Sequence, residues 1–128
     1  MSDFDQIKQK GRKAIASFGG PDYLSKRDAS TNAFNGDLRA LSEVCTGMVW
    51  SRPGLEPKFR SMLCIGMLAA TGRLVELRTH ISGAFNHGCT PHEIKEVILQ
   101  SVLYAGFPAA NEANRICEDV MRERGIVI

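Results

Sequence analysis

The stretch Arg73 to Gly88, R-L-V-E-L-R-T-H-I-S-G-A-F-N-H-G, decides the fold class. At about 100° per residue, Leu74, Leu77, Ile81, Ala84 and Phe85 gather on one side of a helix, while Glu76, His80, Gly83 and His87 fall along a neighbouring stripe. Glu76 stands one turn ahead of His80. A carboxylate so placed holds one imidazole tautomer and raises the imidazole pKa, which acid or base chemistry near neutral pH needs. The competing reading is a solvated surface pair worth about 0.3 kcal/mol. Gly83 leaves space on the polar stripe and the next helix is apolar enough to need cover, so the stripe is expected to border a pocket.

Outward from this helix the same periodicity continues. Gly88 suits the position just past a helix end. Thr90-Pro91-His92-Glu93 is a capping box with proline at the first helical position, and Ile94, Val97, Ile98, Ser101, Val102 and Ala105 trace the inner face of a helix ending near Gly106. Pro108 starts another, Ala109 to Arg124, with Ala113, Ile116, Cys117 and Val120 facing in. Upstream, Pro57 opens a helix over Lys58 to Thr71 that is apolar nearly all round and belongs at the centre or at a subunit contact. The segment Gly47 to Pro57, G-M-V-W-S-R-P-G-L-E-P, reads as a compact connecting loop, with Gly47 freeing the chain from a helix over Asn32 to Cys45. That helix carries Phe34, Leu38, Leu41 and Val44 or Cys45 near helical spacing. Tyr23 to Ala29 reads as a helical turn, and Phe4 to Phe18, with Phe4, Ile7, Ala14, Ile15 and Phe18 apolar, as a short first helix. No segment shows sustained polar and apolar alternation. The expectation is an all-α, single-domain, multi-helical chain of about six helices.

At 128 residues the chain is long enough to bury roughly two-thirds of its unfolded surface in one domain. A net charge of +2, from 16 basic and 14 acidic residues, and the lack of a run of like charges give no footprint for nucleic acid. The first residues, M-S-D-F-D-Q-I-K-Q-K-G-R-K, have no apolar core of a signal peptide, and no long apolar run follows; a cytoplasmic chain with no membrane partner is expected. Cys45, Cys64, Cys89 and Cys117 are widely spaced without C-x-x-C, so they are expected to be reduced, partly buried, small hydrophobes. Glu76, His80 and His87 do not make a metal site, because their spacing spreads the outer ligands over about 16 Å of helix axis.

Several ordered blocks carry a resemblance: V-W-S-R-P-G-L (Val49 to Leu55), R-S-M-L (Arg60 to Leu63), E-L-R-T-H (Glu76 to His80), A-F-N-H-G-C-T-P-H-E-I-K-E-V-I-L-Q (Ala84 to Gln100) and Y-A-G-F-P-A-A-N-E-A (Tyr104 to Ala113). In order and spacing the chain resembles the carboxymuconolactone decarboxylase family, over a core of residues 37–125 within one domain of residues 1–128. The resemblance implies an alkylhydroperoxidase D-like fold and a small-molecule carboxylate substrate. It also implies assembly into a homo-oligomer, a trimer or hexamer, and removal of carbon dioxide from 4-carboxymuconolactone without metal or organic cofactor, in the protocatechuate branch of the β-ketoadipate pathway. A sister branch carries C-x-x-C-x-x-x-H and does thiol redox chemistry; here Arg73 and Glu76 stand where its cysteines would be.

Loss of carbon dioxide from the ring carbon leaves an electron pair that delocalises through the unsaturated lactone to its carbonyl oxygen. The enzyme must stabilise that oxygen and deliver a proton to carbon. On the family reading, His80 is the acid or hydrogen-bond donor and Glu76 its orienting partner. Arg52, beside Trp50, is the leading anchor for the carboxylate that stays, and Arg60 the second, since a guanidinium offers a planar fork. Each competes with a solvated charge. Trp50 is either core or a pocket wall, and Tyr104 and Asn111 flank the Gly106-Phe107-Pro108 break, where packing explains them equally well. His87, near the helix end, is explained by the helix dipole favouring a cationic imidazole, and His92 is expected to be exposed.

The chain also departs from the family pattern. Cys45-Thr46-Gly47 stands where an aromatic-glycine pair is usual, and Gly19-Gly20-Pro21-Asp22 fits poorly. Two alternatives stay open: an alkylhydroperoxidase D-like redox protein working through Cys64 or Cys89, and a non-catalytic oligomeric member of the family.

Overall fold

The computed structural model describes residues 1–128, and they form seven α-helices without a strand. These are α1 (Asp3–Gly19), α2 (Tyr23–Ala29), α3 (Gly36–Trp50), α4 (Pro57–Thr71), α5 (Leu74–Asn86), α6 (Pro91–Ala105) and α7 (Phe107–Glu123). The all-helical expectation holds, with the Tyr23 segment completing as a helix of its own. The chain forms two compact units, Met1–Pro57 and Lys58–Ile128.

In the first unit α1 begins at a capping box, in which Ser2 Oγ accepts from the Asp5 amide at 3.1 Å and the Asp5 carboxylate accepts from the Ser2 amide at 3.4 Å. Its central contact is with α3, and it is made backbone to backbone. A Cβ on Gly11 would fall 1.7 Å from the Glu43 carbonyl oxygen, and one on Gly47 would fall 2.1 Å from that of Ile7. Gly47 therefore does not end a helix, as the sequence reading expected; it is the packing surface of one, and α3 runs on to Trp50.

This contact also sets which face of α3 is inward. Glu43 and Gly47, four residues apart, are the buried residues of α3, while Phe34, Leu38 and Leu41 are exposed, Phe34 at 98%. The expectation that these three faced a core is corrected, because two helices in glycine contact leave no room for large side chains between them. Phe4 is likewise exposed, while Ile15 and Phe18 are buried as their spacing suggests, with Gly11 beside them.

The buried Glu43 is held by cations from two helices. Its carboxylate accepts from Arg12 at 2.9 Å and from Arg27 at 2.7 Å, with Lys8 Nζ at 3.8 Å. Arg12 also grips Asp28 through two bonds, of 3.0 and 2.6 Å. That grip holds the Asp28 carboxyl below the usual range and the Arg12 guanidinium above its own. Arg39 donates to the Arg27 carbonyl, which ties α2 to α3 as well.

The second unit has the apolar core that the sequence periodicity describes. Ile65 and Ala69 of α4, Leu77, Ile81 and Ala84 of α5, Ile94 and Ile98 of α6, and Ala110, Ala113, Cys117 and Val120 of α7 are buried together, with Cys89. Phe85, Val97, Val102 and Ile116 pack against them. Leu74, in the first turn of α5, is more exposed than its place on the apolar face led one to expect. Gly88, at φ 87°, turns the chain out of α5 in the left-handed region that favours glycine. Thr90 and Glu93 then close their capping box, with bonds of 3.1 and 2.9 Å, and Lys58 pairs with Glu93 at 2.7 Å.

α4 buries a single stripe, Ser61, Ile65 and Ala69, and exposes Phe59, Leu63 and Met67 on another. No helix is long and apolar enough to cross a membrane.

Candidate active site

α5 carries His80 with its ring largely buried and Nδ1 fully enclosed. Glu76, one turn earlier, is exposed, and its field favours the imidazolium. Two effects oppose it. Burial, the largest, disfavours the charged ring, and the imidazole of His87 adds repulsion; together they hold His80 below the ordinary histidine value of 6.5. The carboxylate thus acts in the expected direction, but desolvation outweighs it and His80 is neutral at pH 7. A neutral imidazole offers one N–H donor and one acceptor. It can hold a developing oxyanion without giving up a charge-stabilising proton first.

His87 needs a larger correction. Its ring is half-buried, and Nδ1 lies 2.7 Å from Oγ of Ser61, which is wholly buried on α4. Burial pushes its pKa down, so desolvation decides its charge rather than the helix dipole. Ser61 escaped the sequence reading. The signal was its position, since Ser61, Ile65 and Ala69 share one stripe at a spacing of four, and a hydroxyl there needs a partner.

The remaining candidates come from separate elements. Arg60 precedes Ser61 on α4, and its charge acts on Cys64 against the larger effect of burial, which raises that thiol. Tyr104, near the end of α6, is 85% exposed. In the first unit Trp50 is the last residue of α3 and tilts against Phe18 with ring centroids 5.3 Å apart. Arg52 lies exposed just beyond, its amide donating to the Val49 carbonyl at 3.2 Å. Of the six sequence candidates, Glu76 and His80 are brought together on α5; Trp50 and Arg52 belong to the Met1–Pro57 unit, and Arg60 and Tyr104 to the Lys58–Ile128 unit. His92 is exposed as expected, 3.9 Å from Glu96. No three His, Cys, Asp or Glu side chains converge on a metal position.

The thiols of Cys64, Cys89 and Cys117 are poorly suited to redox work. All four cysteines are free; burial raises the thiols of Cys64 and Cys89, and burial with the charge of Glu118 pushes Cys117 up to about 12. A reactive cysteine needs the opposite shift.

The two depressed histidines make stability depend on pH. Unfolded, each binds a proton near pH 6.5; folded, each resists it to lower pH, so below about 6.5 the unfolded chain holds more protons and stability falls. Urea denaturation midpoints should therefore drop between pH 7.5 and 5.5, well above the range where Asp28 and Glu93 protonate. His80→Gln and His87→Gln should each flatten that drop. An equal drop in both variants would remove the histidines as its cause.

The chain belongs to the carboxymuconolactone decarboxylase family, whose sequence profile matches residues 38–119. It is 40% identical over 127 residues to 4-carboxymuconolactone decarboxylase of Acinetobacter baylyi, covering 98% of this chain and 94% of the relative. It is also 36% identical over 119 residues to nitrosuccinic acid decarboxylase of Metarhizium robertsii, covering 92% of this chain and 83% of the relative.

Proposed function

We propose that the protein is a cofactor-independent carboxy-lyase acting on 4-carboxymuconolactone or a related unsaturated lactone acid in the breakdown of aromatic compounds. The observation that carries this reading is the similarity to 4-carboxymuconolactone decarboxylase over nearly the whole of both chains. Chemistry supports it. In the lactone acid the bond between ring carbon and carboxylate breaks, its electron pair passes through the ring double bond to the lactone carbonyl oxygen, and a proton from the site ends on carbon. In nitrosuccinic acid the nitro group takes the pair in the same way. Both substrates carry their own electron acceptor and a second carboxylate that stays. The work left to the protein is to bind that carboxylate, stabilise the oxyanion and supply a proton.

His80 fits the second task as a neutral hydrogen-bond donor and the third by taking up a solvent proton and passing it to carbon, which returns the ring to its neutral form, with Glu76 supporting the transient imidazolium charge. Arg52 and then Arg60 are proposed for the first, Trp50 as a wall that excludes water, and Tyr104 as a contact at the rim. If Arg52 binds the retained carboxylate, Arg52→Ala should weaken binding of dicarboxylate ligands by about 10- to 100-fold, and Arg52→Lys should restore only part of it because an ammonium lacks the fork. Calorimetry with a non-reactive dicarboxylate reads this. Unchanged affinity in both variants moves the anchor to Arg60.

The same subunit is proposed to assemble with copies of itself, as a trimer or hexamer. Phe59, Leu63 and Met67 line up along α4, and Leu99, Leu103 and Phe107 are exposed at α6 and the start of α7, more apolar surface than a lone subunit ordinarily presents. Light scattering at micromolar concentration should return a multiple of the subunit mass, and a stable monomer would contradict this. A reducing compartment such as the cytoplasm suits four free thiols.

The function is tested by offering the purified protein unsaturated lactone acids and, in parallel, nitrosuccinic acid, and measuring carbon dioxide. Turnover of the lactone acid is expected. Turnover of the nitro acid alone would reassign the substrate, and release from neither, by protein shown to be folded, would overturn the reading.

A further inference from the structure

We propose that the cleft where α1, α2 and α3 meet binds a small hydroxycarboxylate, with its carboxylate held by Arg39 and Lys8 and its hydroxyl donating to Glu43. No residue of α5 takes part, so the site is independent of what His80 does.

The cleft belongs to the Met1–Pro57 unit and has a volume of about 240 Å³. Lys8 and Arg12 of α1, Asp28 of α2, and Arg39 and Glu43 of α3 line it. Its room comes from two small residues of α3, Gly36 and Ala40. A Cβ at Gly36 would meet only the Thr31 methyl, at 3.9 Å, whereas at Gly11 and Gly47 it would strike backbone. Gly36 faces space rather than a packed neighbour.

Positive charge is in surplus there. Arg12 bonds to both Asp28 and Glu43, and Arg27 bonds to Glu43, so two guanidiniums answer two carboxylates. Lys8 and Arg39 remain. Lys8 Nζ stands 3.8 Å from Glu43 Oε2, an ion pair too long for a hydrogen bond. Arg39 uses one nitrogen, Nη1, on neutral oxygens: the Arg27 carbonyl, Ser30 Oγ at 2.9 Å and Thr31 Oγ1 at 3.0 Å. Nε and Nη2, an edge of the guanidinium that can take both oxygens of a carboxylate, are left for a ligand.

Glu43 decides against a plain anion. Its side chain is only 5% exposed, and both arginine bonds fall on Oε1. Oε2, with Lys8 beyond hydrogen-bond distance, keeps its acceptor capacity in a residue that lines the cleft. A simple anion would meet that oxygen as a like charge, whereas a hydroxyl would donate to it. A ligand with a carboxylate and a hydroxyl suits both the cations and this acceptor. The cleft is roomy enough for an acid of about four carbons rather than a single water.

Calorimetry on the full chain at constant ionic strength tests this with three probes: malate, succinate, which lacks the hydroxyl, and inorganic phosphate. Malate should bind about tenfold more tightly than succinate, the gain from a hydrogen bond to a charged acceptor, and more tightly than phosphate. Lys8→Gln and Arg39→Lys should each weaken malate binding about 5- to 10-fold, the first by removing a charge and the second by removing the fork. Ala40→Leu should abolish it by filling the cleft at unchanged charge. In NMR spectra malate should shift the Arg39 Nε–H and Gly36 amide signals, which places the ligand in this cleft. Arg39 also ties α2 to α3, so urea midpoints are read in every variant; Lys8→Gln, on a side chain 37% exposed, decides the matter if the others unfold. No malate binding, equal affinity for malate and succinate, phosphate bound more tightly than malate, undiminished affinity in Lys8→Gln, or malate that leaves the Arg39 and Gly36 signals unmoved would overturn the proposal.

Discussion

His80→Ala is expected to remove about 100- to 10,000-fold of the decarboxylation rate, the range found when a positioned acid–base group is lost. Glu76→Gln should reduce the rate less and shift the pH optimum downward. The sign follows from the site, because the Glu76 field is what favours the imidazolium, and without it burial and His87 push the His80 midpoint further down. The two losses should not add. With His80 gone, Glu76 has no imidazole to act on, and the double variant should be no slower than His80→Ala alone. Initial rates of carbon dioxide release across pH, with helicity and oligomer mass checked in each variant, measure this. Additive losses, or a His80→Ala protein of near wild-type rate, would return the pair to an ordinary helix surface.

Glu43→Ala is expected to destabilise the Met1–Pro57 unit by about 3 kcal/mol. Removing one partner of a buried charge network leaves the others uncompensated, and such losses run at about 3 to 5 kcal/mol. The lower end applies because the Arg12 and Lys8 side chains are 32% and 37% exposed and can recover water, whereas Arg27, at 13%, cannot. The Arg27 guanidinium would be left with the Arg39 carbonyl and Ser42 as its remaining partners. Glu43→Gln, which keeps the acceptor but not the charge, should lose less. Urea denaturation followed by Trp50 fluorescence reports on this unit directly, since Trp50 packs on Phe18 within it. A loss under 1 kcal/mol in Glu43→Ala would mean that the network is solvated.

These two residues mark what the sequence disclosed and what it withheld. In the Lys58–Ile128 unit, helical spacing of apolar residues picked out Leu77, Ile81, Ile94, Ile98, Ala113 and Cys117, because there the core is made of those side chains. The capping box at Thr90 and Glu93 was legible because its chemistry is local. In the first unit the same rule found Ile15 and Phe18 of α1 but failed for α3. Its helices meet through Gly11 and Gly47, whose value lies in having no side chain, and around Glu43, whose burial depends on arginines 16 and 31 residues away in sequence. Apolar periodicity then marked Leu38 and Leu41, which face out. The site divides similarly. Glu76 and His80 share a helix and could be read from spacing, but the charge state of His80 depends on how deeply the fold buries it. The Ser61 to His87 bond joins two helices across 26 residues, with no mark in either segment by itself.

The measurement that tests the account most directly is a mass balance of the reaction in deuterated water with the purified wild-type protein and 4-carboxymuconolactone. The account predicts one carbon dioxide released for each lactone consumed and one solvent deuterium on the product carbon, with both signals falling together in His80→Ala. Lactone left intact by folded protein, or carbon dioxide release that continues unchanged without His80, would contradict it.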